Sequence, residues 1–241
     1  MRHPTPAPPE LGEHDGLAYA LFMPTREPDV GVLILHGAGS AKESHFDFAR
    51  GCRADGMAAL AYDARGHGRS NGAFGPGAID DALAMLALLA RRVPRVALRG
   101  SSMGGWQAVH AAARARAGAN APVPSAVVAI CPADEALLRR GLRSGEPLRF
   151  RCDVAGCAGW MESSDVYEAA AALGPQTALL LMHARGDEQV PYTVSERLHE
   201  AAGEPKRLLL LPGGHHRSLQ HDLELHAESR RFIRRSAGAG A

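Results

Sequence analysis

An excess of either charge is missing from this chain of 241 residues. It has 27 basic and 26 acidic side chains, a formal net charge of +1. Binding by counterion release draws on surplus basic surface, so nucleic acid is not expected as a partner. Long hydrophobic runs are also missing. The longest helix-like run, Ala82 to Ala90, is bracketed by Asp80 and Asp81 and by Arg91 and Arg92. It reaches about half of the ~20 residues that a spanning helix needs, so no membrane span is expected. Cysteine is sparse, with 4 in all. Cys152 and Cys157 lie near each other, but Cys52 and Cys131 are distant and form no second pair of the kind a zinc site requires. The four read as reduced thiols, with a Cys152–Cys157 disulfide as the alternative. The N-terminal stretch carries Pro4, Pro6, Pro8 and Pro9 and no apolar run. It reads as a loose tail rather than a secretory signal, and the expected location is cytoplasmic.

What remains is the composition of a globular protein, 46% hydrophobic and 22% charged, with a length suited to one domain. Val30 to Leu35 is an almost unbroken apolar run of the kind buried on both faces of a parallel sheet. Met57 to Tyr62, Val96 to Leu98, Ser125 to Ile130, Thr177 to Met182 and Arg207 to Leu211 repeat it, and Leu17 to Met23 reads as a strand stopped by Pro24. Helical stretches alternate with these runs: Ser44 to Ala54, Asp80 to Ala90, Trp106 to Ala117, Val194 to Ala202 and Asp222 to Arg235. Alternation of this kind predicts an α/β protein with a doubly wound, mostly parallel sheet. The segment 134–170 breaks the rhythm with Gly141, Gly145, Pro147, Gly156 and Gly159. It is expected to be a short excursion within a single domain spanning 1–241. Ser236 to Ala241 is expected to fray.

In such a sheet ligands bind beyond the carboxyl ends of the strands, and four segments fall there. Gly100-Ser101-Ser102-Met103-Gly104 fits G-x-S-x-G between a strand and a helix. That turn strains its central residue and projects the Ser102 hydroxyl, with small neighbours allowing close backbone approach. A Gly-Ser helix cap is the plainer reading of the same five residues. His36-Gly37-Ala38-Gly39-Ser40 follows the run Val30 to Leu35. Its glycines allow the amide of Ala38 to join that of Met103 as donors to an oxyanion. His183-Ala184-Arg185-Gly186-Asp187 offers Asp187 as the carboxylate that orients a catalytic imidazole, with Glu188 as the fallback. Pro212-Gly213-Gly214-His215-His216 offers the imidazole, His216 or its neighbour His215. A metal reading of His215, His216, His221 and His226 fails on spacing. His216 to His221 and His221 to His226 are i, i+5 pairs, which turn off one helix face, so no metal is expected.

The order Ser102, Asp187, His216 is nucleophile, acid, base. With Tyr62-Asp63-Ala64-Arg65-Gly66-His67-Gly68-Arg69-Ser70, which is similar to the D-x-R-G-H-G-x-S loop of many members, the chain from about Leu17 to Ile233 resembles the α/β-hydrolase superfamily of serine hydrolases. The closest similarity is to small bacterial esterase-like and dienelactone-hydrolase-like members. The resemblance implies the α/β-hydrolase fold with a short cap excursion, and it makes the Asp63–His67 loop architectural. Matching Pro212 and Gly213 to the family's P-G-x-x-H selects His216 as base. Dienelactone hydrolases carry a cysteine nucleophile, so Ser102 points toward esterase-like chemistry.

The expected function is therefore cleavage of a carboxylic ester or related acyl bond in a small-molecule substrate, without a cofactor, through an acyl-enzyme. A thioesterase or acyl-peptidase is the neighbouring alternative, and a non-catalytic binding protein on the same scaffold is the alternative of another class. Trp160 and Met161, with Leu148 and Phe150, are expected to line the acyl pocket unless they are ordinary core residues. A small substrate is expected. Oligomeric state is not readable.

Overall fold

The computed structural model describes residues 7–238. Eight strands form one sheet: β1 (Glu10–His14), β2 (Leu17–Phe22), β3 (Val30–Leu35), β4 (Ala58–Tyr62), β5 (Arg95–Ser101), β6 (Ala126–Ile130), β7 (Ala178–Ala184) and β8 (Lys206–Leu211). Their order is β1-β2-β4-β3-β5-β6-β7-β8. β1, β2 and β4 pair antiparallel, and every other neighbour is parallel. β3, β4, β6 and β7 are buried at every residue, which is why their sequences are unbroken apolar runs rather than alternating ones.

The helices are α1 (Phe46–Ala54), α2 (Ala78–Ala90), α3 (Met103–Arg116), α4 (Glu135–Arg143), α5 (Val154–Glu162), α6 (Val166–Ala171), α7 (Thr193–Ala201), α8 (Ser218–His221) and α9 (Leu223–Gly238). A short 3-10 turn, Lys42–His45, leads into α1. They cover both faces of the sheet. On one face, residues of α2, α3 and α7 pack with Leu33, Leu35, Leu98, Leu179 and Leu181. On the other, Phe48 and Cys52 of α1 and Leu225 and Ile233 of α9 pack with Val32, Ile34, Val128 and Leu180. Segment 134–170 holds α4, α5 and most of α6. Their inward residues Cys157, Met161, Val166 and Ala170 join the first of these cores.

Most strand and helix boundaries lie within two or three residues of the sequence reading. β1 was not foreseen. It is an exposed edge strand with Glu10 and Glu13 in it, and it exists because Asp15 and Gly16, both at positive φ, turn the chain back onto β2. The C-terminal reading is corrected in part, since Ser236, Ala237 and Gly238 continue α9 and Ala237 is buried. Of the expected N-terminal tail, residues 1–6 lie outside the described residues and Pro8 and Pro9 lead directly into β1, and the fraying at 239–241 also lies outside them. All four cysteines are free thiols, with the sulfurs of Cys152 and Cys157 3.6 Å apart. Among the described residues no helix is long and apolar enough to cross a membrane.

Candidate active site

β5 ends at Ser101, and α3 starts at Met103. The single residue between them, Ser102, has φ 52 and ψ −118, a conformation that side chains other than glycine rarely adopt. Three tight approaches hold it there. A Cβ on Gly100 would collide with the carbonyl of Gly104. One on Gly104 would collide with the carbonyls of Leu35 and His36, and one on Gly105 would press on Pro132. The Ser102 amide donates to the Ile130 carbonyl at 2.9 Å, and its carbonyl accepts from Gly105 and Trp106. The backbone is therefore fixed on both sides while the side chain is left to face a cleft.

The loop after β3 runs alongside. A Cβ on Gly37 would stand 3.5 Å from that of Ser102. His36 is buried and pins this loop, accepting from the Ala64 amide at 2.9 Å through Nε2 and donating to the Gly37 carbonyl at 2.8 Å through Nδ1. Asp63 pins it further on. Its carboxylate accepts from the Lys42 amide at 2.8 Å, the Lys42 ammonium at 2.7 Å and the Arg69 amide at 2.9 Å. His36 and Asp63 thus hold loops in place. The amides of Ala38 and Met103 donate to no protein acceptor among the described residues. Met103 opens α3, where the first amides of a helix have no partner within it.

Asp187 follows β7, and its side chain is fully buried. One oxygen, Oδ1, accepts from the amides of Gln189 at 2.9 Å and Val190 at 2.8 Å. The other, Oδ2, meets Nδ1 of His216 at 2.7 Å and Nε2 of His183 at 3.3 Å. Burial opposes ionisation of this carboxyl, but the two imidazoles and two amides outweigh it and hold the group far below the usual carboxylate range. The alternatives left open by the sequence occupy other places. Glu188 accepts from the backbone amide of His216 at 3.1 Å, not from its ring. His215 turns its Nδ1 toward the Arg217 amide.

His183 and Cys131 were not foreseen. Fully buried, His183 faces two acceptors with Nε2, the Val190 carbonyl at 3.0 Å and Asp187, so its proton sits there. Its Nδ1 then accepts from the Ser195 hydroxyl at 2.7 Å. Cys131, at φ 44 after β6, is also buried. Burial and the nearby Asp187 carboxylate push its thiol well above its ordinary value. Cys131, Asp187 and His216 offer ligand-type atoms within 4.8 Å of one another, the one grouping among the described residues that could hold a metal. Within it, Asp187 and His216 already satisfy each other as a hydrogen-bonded pair.

Ser102 and His216 border one small cleft of about 150 Å³, together with Ala38, Ser101 and Gln220. Trp160 and Met161 do not border it, which corrects their expected place in the substrate pocket. Met161 is buried in the core, one turn from Cys157 on the inner face of α5, and Trp160 packs edge to face on Trp106 at 5.0 Å. Phe150 stacks on His67 at 4.1 Å, and Leu148 is exposed. A larger cavity of about 730 Å³ opens at the amino-terminal ends of β5 and β7, beside Arg95 and Phe232, and contains none of these groups.

This sheet order, with a strained serine after the fifth strand, defines a protein of the α/β-hydrolase fold, and comparison with solved structures bears that out. Est1E from Butyrivibrio proteoclasticus, solved with ferulic acid bound, superimposes with TM-score 0.76 at 22% identity, over 95% of this chain and 99% of that one. The α/β hydrolase GrgF from Penicillium sp. sh18 gives 0.77 at 19% identity, over 92% and 94%. A monoacylglycerol lipase from Paleococcus ferrophilus gives 0.68 at 20% identity, over 92% and 98%. In sequence, residues 26–139, just under half the chain, match the family model described as serine aminopeptidase, S33. That stretch includes Ser102 and Ala38 and ends before Asp187 and His216. Among curated proteins, the uncharacterized protein YfhR of Escherichia coli (strain K12) is 50% identical over 38 residues, 16% of this chain and 13% of its own length.

Proposed function

We propose that the protein is a serine hydrolase that cleaves carboxylic esters. The observation that carries this reading is the buried Asp187–His216 pair at 2.7 Å, whose imidazole borders the same cleft as the strained Ser102. With its Nδ1 proton directed at Asp187, the ring presents a bare Nε2 to the cleft. That nitrogen takes the proton of Ser102 as its oxygen attacks the ester carbonyl. The amides of Ala38 and Met103 receive the oxyanion, each worth about 3 kcal/mol. The imidazolium returns its proton to the departing alkoxide, which leaves as alcohol. Water then attacks the acyl-enzyme with His216 again as base, releasing the acid. Asp187 stays ionised throughout and keeps the ring in one tautomer. The same reading takes the chain as one domain, with residues 134–170 as a short excursion.

The test is hydrolysis of p-nitrophenyl acetate by the intact protein and by Ser102→Ala. The variant falls to the uncatalysed background. Wild-type turnover in Ser102→Ala would remove Ser102 from the reaction. Because residues 26–139 match an aminopeptidase model, aminoacyl p-nitroanilides belong in the same assay. Faster turnover of the anilides would move the leaving group from alcohol to amine while keeping the same three residues.

A further inference from the structure

The substrate class follows from what surrounds the cleft, given the Ser102 reading above. Apart from the imidazoles of His216 and His221, no aromatic or aliphatic side chain larger than alanine borders it, and neither does any aspartate or glutamate. Ser44, Ser101 and Gln220 also line it, as does Arg217, which has no carboxylate partner among the described residues.

Beneath Ser101 lies a buried cation. Arg99, two residues back on the same face of β5, is completely buried, and no carboxylate among the described residues pairs with it. Its guanidinium lies over the Phe48 ring, 4.0 Å from the centroid. It donates to His45 Nδ1 and to the Gln220 carbonyl, both at 3.3 Å, and its Nε has no acceptor. A charge taken out of water without a counterion is costly to hold, and it retains a strong attraction for any anion that approaches.

A directed set of polar contacts links this charge to the cleft. Because Arg99 donates to Nδ1 of His45, that buried ring carries its proton on Nε2, which faces Ser101 Oγ at 3.5 Å. The Ser101 hydroxyl in turn donates to Gln220 Oε1 at 3.1 Å, and the Gln220 amide nitrogen lies 3.2 Å from the Ser44 carbonyl. The Ser101 hydroxyl is thus committed to Gln220 and the Gln220 amide to Ser44, and the unpaired charge of Arg99 touches this polar wall from behind through the Gln220 carbonyl. We propose that the substrate is a short ester bearing a carboxylate, which pairs with Arg217 beside the Ser101–Gln220 wall and in the field of Arg99. Hydrolysis of a methyl hemiester of this kind consumes one water and yields the dicarboxylate, methanol and one proton.

The experiment compares methyl hemisuccinate with the uncharged, similarly sized methyl pentanoate in a pH-stat at neutral pH. The hemiester is expected to have the higher kcat/KM by about tenfold or more, the scale of one charge-assisted hydrogen bond. In Arg217→Gln, an exposed change that leaves the core intact, the ratio between the two esters drops several-fold, and added salt lowers it in the wild type. Equal rates, or preference for methyl pentanoate, overturn the carboxylate site and leave the Ser102 reading standing. If neither ester turns over, the Ser102 reading is in difficulty, and calorimetric titration with methyl hemisuccinate decides the site independently. Binding of the hemiester without binding of methyl pentanoate supports it, and no binding overturns it.

Discussion

Nε2 of His183 lies 3.3 Å from Oδ2 of Asp187, the same oxygen that His216 meets at 2.7 Å. The carboxylate is thus gripped by a second, fully buried imidazole that cannot reach the cleft. Because Ser195 donates to Nδ1 of that imidazole, its Nε2 proton is fixed on the side of Asp187 and the Val190 carbonyl. In the proposed mechanism His183 positions the acid and does not touch substrate. His183→Leu removes one donor from a buried anion, so kcat is expected to drop about tenfold with little change in KM, the scale of one hydrogen bond to a charged group. His183→Gln, which keeps a donor, recovers part of it. Steady-state kinetics on p-nitrophenyl acetate checks this. A change in KM alone would assign His183 to the substrate pocket.

Strain at Ser102 gives a second prediction. Its positive φ suits glycine, and the hydroxyl is needed for chemistry rather than for folding. Ser102→Gly is expected to be inactive yet more stable than the wild type by about 1 kcal/mol, since the relieved strain exceeds the added freedom of the unfolded chain. Thermal unfolding measures it. A lower Tm in Ser102→Gly would mean that the backbone there is not strained.

Acid lability gives a third. Burial lowers the pKa of His36, His45, His67 and His226, with His67 brought to about 4. Unfolded histidines bind a proton near pH 6.5, so between that pH and about 4 the unfolded chain holds more protons than the folded one. Stability therefore rises with pH across this window and is lost on acidification, by up to ~1.4 kcal/mol per pH unit for each such histidine. Asp187, depressed in the fold, adds to the loss further into acid. Urea unfolding at a series of pH values is expected to show the midpoint falling from pH 7 to 4.5, less steeply in His67→Phe. A flat midpoint from pH 7 to 5 would contradict the buried neutral histidines.

The central strands were legible because burial on both faces leaves unbroken apolar runs, as in β3 and β7. β1 was not, because an edge strand can carry Glu10 and Glu13 on open surface, and only Asp15-Gly16 hinted at its hairpin. The strand-end segments were readable from their local chemistry, but the choice of His216 over His215 leaned on the family pattern, and local chemistry alone does not separate such neighbours. Asp187 and Glu188 differ in which one turns inward, and so do His216 and His215. Cys131 could not be read locally, since it approaches Asp187 only because β6 and β7 lie side by side with Ile130 opposite Met182, whereas His183 stands four residues before Asp187 and only its inward turn was hidden. Trp160 and Met161 were misplaced because an apolar pair on a helix looks the same whether it faces a pocket or the core.

The most direct measurement is labelling with a fluorophosphonate, followed by peptide mapping. A serine activated by a neighbouring imidazole becomes covalently phosphonylated, whereas an ordinary surface serine does not. The label is expected on Ser102 alone, with labelling abolished in His216→Ala and sharply slowed in Asp187→Asn. Label on another residue, or equal labelling of Ser102 in His216→Ala, would contradict the assignment of these three residues to one reaction.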